Sequence, residues 1–146
     1  MDQRVSLITL GVADVARATR FYEALGWRRA AESMNEISFF QLAGQVLALY
    51  SREHMFEDTG RDTGDGPGAI ALSQNVRLRA DVDRLFAEAV SAGATPLRMP
   101  FDTPWSGYVA YVADPDGHIW EFSHVPMFPL AEDGTLTLPS ASVPAD

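Results

Sequence analysis

Few residues in this chain are able to do chemistry, and their spacing narrows them further. Glu121 stands in the apolar run Ile119-Trp120-Glu121-Phe122. As a functional group it is a desolvated carboxylate that accepts a proton or binds a cationic or hydroxyl group. As a structural one it is a sheet glutamate, hydrogen-bonded to a neighbour or reaching solvent. His118 and His124 each stand an odd number of residues from Glu121, and in a regular strand odd separations point side chains to opposite faces. Neither therefore joins Glu121 on one metal ion. His54 stands apart, at the mouth of a polar connector. Asp114-x-Asp116-Gly117 begins like a calcium loop but lacks the later acidic ligands and the closing glutamate. Trp105 and Tyr108 flank Ser106-Gly107 in a stretch opened by Pro100 and Pro104. That suits a mouth loop stacking on a flat ligand, or ordinary aromatic packing. Arg98 is a candidate partner for an anion, or a plain surface arginine. No G-x-S-x-G elbow and no H-E-x-x-H helix is present.

Composition removes other chemistry. The 146 residues include no cysteine and no lysine, and all 11 basic residues are arginine. Thiol nucleophiles, thiolate metal sites, Schiff bases and a P-loop lysine are all excluded. A net charge of −9 repels phosphate backbones and argues against nucleic acid as a general partner. No run approaches the ~20 apolar residues of a membrane span. The start does not resemble a signal peptide, so the cytoplasm is the expected location. The length suits one structural domain.

Two similar halves must position the candidates. Asp14-Val15-Ala16-Arg17 with Gly26 is matched, at one constant offset, by Asp81-Val82-Asp83-Arg84 with Gly93. Each segment reads as a helix, with an aspartate as N-cap and a glycine at the left-handed exit. Ala18, Phe21, Tyr22 and Leu25 form one apolar stripe; Val82, Leu85, Phe86 and Ala89 form the other. Strands are predicted over 5–12, 37–42, 46–50, about 69–78, 108–113 and 118–124. Asp114-Pro115-Asp116-Gly117 supplies a hairpin turn between the last two. Matching Gly44 to Gly117 pairs Val46 with Ile119 and Ala48 with Glu121. The organisation is a first module over 1–52, a connector loop over 53–68, a second module over 69–125 and a proline-rich tail over 126–146, mobile from Pro139.

With Phe21-Tyr22-Glu23-Ala24-Leu25-Gly26-Trp27 in one half and Asp114-Pro115-Asp116-Gly117-His118-Ile119-Trp120-Glu121 in the other, the chain resembles the vicinal oxygen chelate superfamily. That group includes glyoxalase I, bleomycin-resistance proteins and extradiol dioxygenases. The resemblance covers roughly residues 4–125. It implies an α+β fold of two β-α-β-β-β modules, with curved mixed sheets around a cavity, helices outside, and a homodimer. It also implies four pseudo-symmetric metal positions. Here they fall on Glu121, its counterpart Ala48, Leu7 and, by the helix offset, Gln74, with Ala69 or Ala71 as the alternatives in a shifted register. One conventional ligand remains.

Alternation places Trp120 and Phe122 beneath the helices and Ile119, Glu121 and Ser123 toward the cavity, with Val46, Ala48, Tyr50, Leu7 and Thr9. The expected ligand-binding set is Leu7, Thr9, Ala48, Tyr50, Gln74, Trp105, Tyr108 and Ile119, with Glu121 as acid or base. The leading expectation is a small-molecule binder without a full metal site, sequestering its ligand or transforming it without metal. A divalent-metal lyase or dioxygenase and a ligand-free interaction module are the alternatives.

Overall fold

A computed structural model describes residues 5–136 except 63, 65, 67 and 69. The expected mobile tail end and the candidate Ala69 lie outside these residues. Strand β1 (Leu7–Val12) turns its even-numbered residues to the core, where Leu10 and Val12 are buried. Asp14 then starts α1 (Val15–Ala24), its carboxylate accepting the Arg17 backbone N–H at 2.9 Å. Gly26, at φ 88°, lets the chain leave the helix. Strands β2 (Ile37–Gln41) and β3 (Val46–Ser51) form a hairpin, and β1 runs parallel to β3, giving the order β1-β3-β2. The fourth strand implied for this module is reduced to a single bridge, Arg29 to Phe40.

The second half is complete. Strand β4 (Ala71–Asn75), a long helix (Arg79–Ser91) and strands β5 (Thr95–Asp102), β6 (Tyr108–Ala113) and β7 (Ile119–His124) build a sheet of order β4-β7-β6-β5. The chain is thus α+β, with two mixed sheets and helices against them.

Three elements depart from expectation. Residues 52–59 form a helix, α2 (Arg52–Thr59), where a loop was predicted. It buries no residue and so carries no apolar stripe. Glu53 in its first turn and Gly60 at φ 68° after its last are its end signals. The Arg79–Ser91 helix, α3, starts before Asp81; Leu78 is its N-cap and Asp81 sits in the first turn, 3.3 Å from Arg84. Finally, Pro100 lies inside β5 rather than opening a loop. As an edge strand β5 tolerates prolines, because their missing N–H groups leave no ladder bond unmade.

One core joins the halves. Tyr22 and Trp27 of the first meet Trp120 of the second, with centroids 6.2 and 5.8 Å from it, each such pair adding ~0.5–1.5 kcal/mol beyond its buried area. The Asp114–Gly117 turn adds polar links. Asp114 accepts the Tyr22 hydroxyl at 2.7 Å. Asp116, its side chain 1% exposed, accepts the Ala13 N–H at 2.9 Å and the Arg17 guanidinium at 2.8 Å. His118 Nε2 lies 3.0 Å from the Gly11 carbonyl. The predicted turn is also the clasp between modules.

Candidate functional site

Helices α1 and α3 each cover one face of a sheet; the other face, bordered in the first sheet by α2, is termed the open face. In the second sheet the helix face carries Trp120 and Phe122, and α3 packs there through Val82, Phe86 and Ala89. The open face then carries three rows, fixed by register: Ala71-Ile119-Ala113, Ser73-Glu121-Tyr111-Arg98 and Asn75-Ser123-Val109-Phe101. In the first sheet the matching rows are Leu7-Val46-Gln41, Thr9-Ala48-Phe39 and Gly11-Tyr50-Ile37. Trp120 and Phe122 take the side that alternation predicts.

Two hollows border these faces and share Thr9. One, of about 210 Å³, is lined by Thr9, Gly11, Arg52, Met55, Ile70 and Ile119 among others. It bridges the seam where β1 and β4, the edge strands of their sheets, face each other without pairing. The other, of about 550 Å³, lies against Thr9, Ile37, Phe39, Tyr50, His54 and Asp58. Helix α2 forms one wall of both. It is held by the Tyr50 hydroxyl, which donates to Asp58 at 2.8 Å. The approach of Arg52 and Met55 to Gly11 explains that glycine: a Cβ there would stand 3.3–3.4 Å from both side chains.

Of the predicted residues, Thr9, Tyr50 and Ile119 line the hollows. Ala48 is on the same face but wholly buried, and Leu7 is exposed at its end. Glu121 shares the face of Ile119. Its Oε2 accepts the Tyr111 hydroxyl at 2.7 Å, the neighbour-bonded arrangement of the structural alternative. Burial and the Glu121 carboxylate push the Tyr111 phenol up to about 12, while the Arg98 charge pulls the other way.

Two predicted residues are corrected by strand parity. Gln74 pairs with Phe122 and lies on the helix face, because the register of β4 is shifted from that of the helix offset. Ala71 holds the position that Leu7 holds in the first module, beside Ile119 as Leu7 is beside Val46. Tyr108 also turns to the helix face, donating to Asp83 at 2.7 Å with the Arg79 guanidinium over its ring. Trp105 remains half exposed, folded onto Gly107, and lines neither hollow. Tyr111 was missed. Counting back from the Asp114–Gly117 turn sets it opposite Glu121, so hairpin register was the available signal.

The family model of the Glyoxalase/Bleomycin resistance protein/Dioxygenase superfamily matches residues 4–122. The chain belongs to this superfamily. Among solved structures it is similar to a glyoxalase-related enzyme from Fulvimarina pelagi, at TM-score 0.88 and 40% identity over 95% of this chain and 100% of that one. A glyoxalase/bleomycin resistance protein/dioxygenase from Nocardioides (TM-score 0.73, 21% identity, 85% and 84% covered) shares the fold. So does a lactoylglutathione lyase from Agrobacterium tumefaciens (TM-score 0.67, 18% identity, 85% and 95% covered). No curated protein matches the chain. No helix among the described residues is long and apolar enough to cross a membrane.

For a superfamily member, the fit to a divalent ion is tested by donor atoms. Register and repeat together put Leu7, Ala48, Ala71 and Glu121 at the four pseudo-symmetric positions. Leucine and alanine offer no donor, and one oxygen of Glu121 already holds a hydroxyl. Three protein ligands are the usual minimum for a catalytic zinc. These four residues do not fit an ion held in the superfamily's manner.

Proposed function

We propose that this superfamily member binds a small, partly apolar molecule at the open faces around Thr9 and Ile119, independently of a divalent ion at the four pseudo-symmetric positions. The observation that carries the reading is the pair of hollows meeting at Thr9, which expose mainly apolar surface, with Arg52 and His118 bordering one and Glu36, His54 and Asp58 the other. Apolar walls with placed polar groups are the usual make-up of a small-molecule site. Glu121 stands two residues from Ile119 on the same face, so a molecule seated on Ile119 is ~7 Å along the strand from the carboxylate's row. Tyr111 bonds Oε2, and Oε1 has no partner among the described residues. Oε1 is therefore the atom that takes a proton from an acidic O–H or C–H of the bound molecule. The protein either holds that molecule or transforms it by this transfer.

The test combines metal content with ligand stabilisation. Protein purified without chelator should carry no stoichiometric divalent metal. A screen of small, partly apolar compounds should yield ligands that raise the melting temperature, a compound at 100 times its Kd adding about 2.7 kcal/mol. Stoichiometric metal that is lost in Glu121→Gln would overturn the metal-independent reading. No stabilising compound across varied scaffolds would favour an interaction module instead. A homodimer is part of the proposal, from the superfamily resemblance, and sedimentation equilibrium reads it directly.

A further inference from the structure

On the reading that the open faces bind a small molecule, the irregularity of one strand bears on what that molecule carries. Strand β5 pairs with β6 out of step twice, between Pro96 and Arg98 and again between Arg98 and Phe101. Such bulges re-aim side chains, and they flank a single residue here. Between them Arg98 is set opposite Tyr111, which is itself opposite Glu121. The neighbours Leu97 and Met99 are left exposed to solvent. The result is a polar row, Ser73-Glu121-Tyr111-Arg98, that crosses all four strands of the sheet.

Arg98 is fixed by stacking rather than by charge. Its guanidinium lies 3.4 Å from the Phe101 ring centroid, and Phe101 lies beside Tyr111 at 6.4 Å with planes inclined by 33°. Arg17, Arg79 and Arg84 each hold a carboxylate. The Arg98 guanidinium has no hydrogen-bond or ion-pair partner among the described residues and rests only on the Phe101 ring. Stacking on an aromatic face orients a guanidinium and leaves its N–H edge directed outward. In a chain of net charge −9, that edge is an unspent, pre-oriented donor fork. Such a fork matches the two oxygens of a carboxylate or the oxygens of a phosphate.

We propose that Arg98 is the oxyanion-recognition residue of the open face, and that the protein's small molecule bears a carboxylate or phosphate beside an apolar body. The Tyr111 ring, beside the Phe101 ring that carries Arg98, gives that body a flat seat. Glu121, two strand spacings or ~10 Å from Arg98, takes a hydrogen-bond donor at the other end. This rests on the small-molecule reading above, and the two fail differently.

The experiment follows the arginine Nε–H resonances of the full chain by NMR, with that of Arg98 assigned by its loss in Arg98→Gln. Benzoate, phenyl phosphate and neutral benzamide are the probes. The expected result is a saturable shift at Arg98 and the Tyr111 ring with one or both anions, and none with benzamide. Arg98→Gln should weaken that binding at least tenfold, and Arg98→Lys should recover part of it, since lysine keeps the charge without the fork. Whichever anion binds more tightly identifies the oxyanion. Anions that bind Arg98→Gln as tightly as wild type, or that leave Arg98 unmoved, would overturn the proposal. Benzamide moving the same signals equally would do so as well. If the probes shift Thr9 and Ile119 but spare Arg98, the small-molecule reading survives and the oxyanion proposal alone fails.

Discussion

All four tyrosines donate their hydroxyls to carboxylates: Tyr22 to Asp114, Tyr50 to Asp58, Tyr108 to Asp83 and Tyr111 to Glu121, at 2.7–2.8 Å. Ionising any of them would set a phenolate against a carboxylate, so every phenol is raised above its ordinary value. Burial is the first cause for Tyr22 and Tyr111; the bonds to Asp58 and Asp83 come first for Tyr50 and Tyr108. A folded-state pKa above the unfolded one stabilises fully below ~pH 10, where the free phenol titrates. For Tyr111 that contribution is lost as pH climbs toward about 12. The near-ultraviolet phenolate band should therefore stay absent up to ~pH 10 and then rise together with loss of circular dichroism. A tyrosine ionising below that pH in chain that is still folded would contradict the arrangement. Tyr22→Phe tests the buried case. It leaves Asp114 Oδ2 without a donor and the Trp120 indole N–H without an acceptor, a loss of about 1–3 kcal/mol measurable by denaturant titration.

At the level of elements, the Asp114–Gly117 turn does more than join β6 to β7. Asp116→Ala removes the acceptor of both the Ala13 N–H and Arg17, and should cost about 1–3 kcal/mol. Arg17→Ala should cost less, because Arg17 is 45% exposed and its amide neighbour keeps its bond. A thermal melt of the two variants decides the order. The turn was legible in the sequence, since Pro115 and Gly117 suit a tight hairpin; its grip on the other module was not, because nothing local says what a turn will touch. Helices α1 and α3 were legible through their apolar stripes. Helix α2 was not, having no buried face, and β5 was hidden by Pro96 and Pro100, which an edge strand accepts. For the site, alternation sorted Thr9 and Glu121 onto open faces. The helix offset misplaced Gln74, because the offset between helices is not the offset between the strands before them.

For the whole molecule, no strand pairing among the described residues joins the two sheets, and the clasp and aromatic core carry the union. The covalent link between modules runs through Gly60, Arg61 and Asp62, which are exposed. It follows that the peptide bond there is dispensable once the chain has folded. Limited trypsin cleavage after Arg61 should yield two pieces that elute together on gel filtration and part only in denaturant. Pieces that separate under native conditions would show that the connector, not the clasp, keeps the halves in place. If they stay together, each half is the other's missing surface, and the protein behaves as a heterodimer that happens to be translated in one piece.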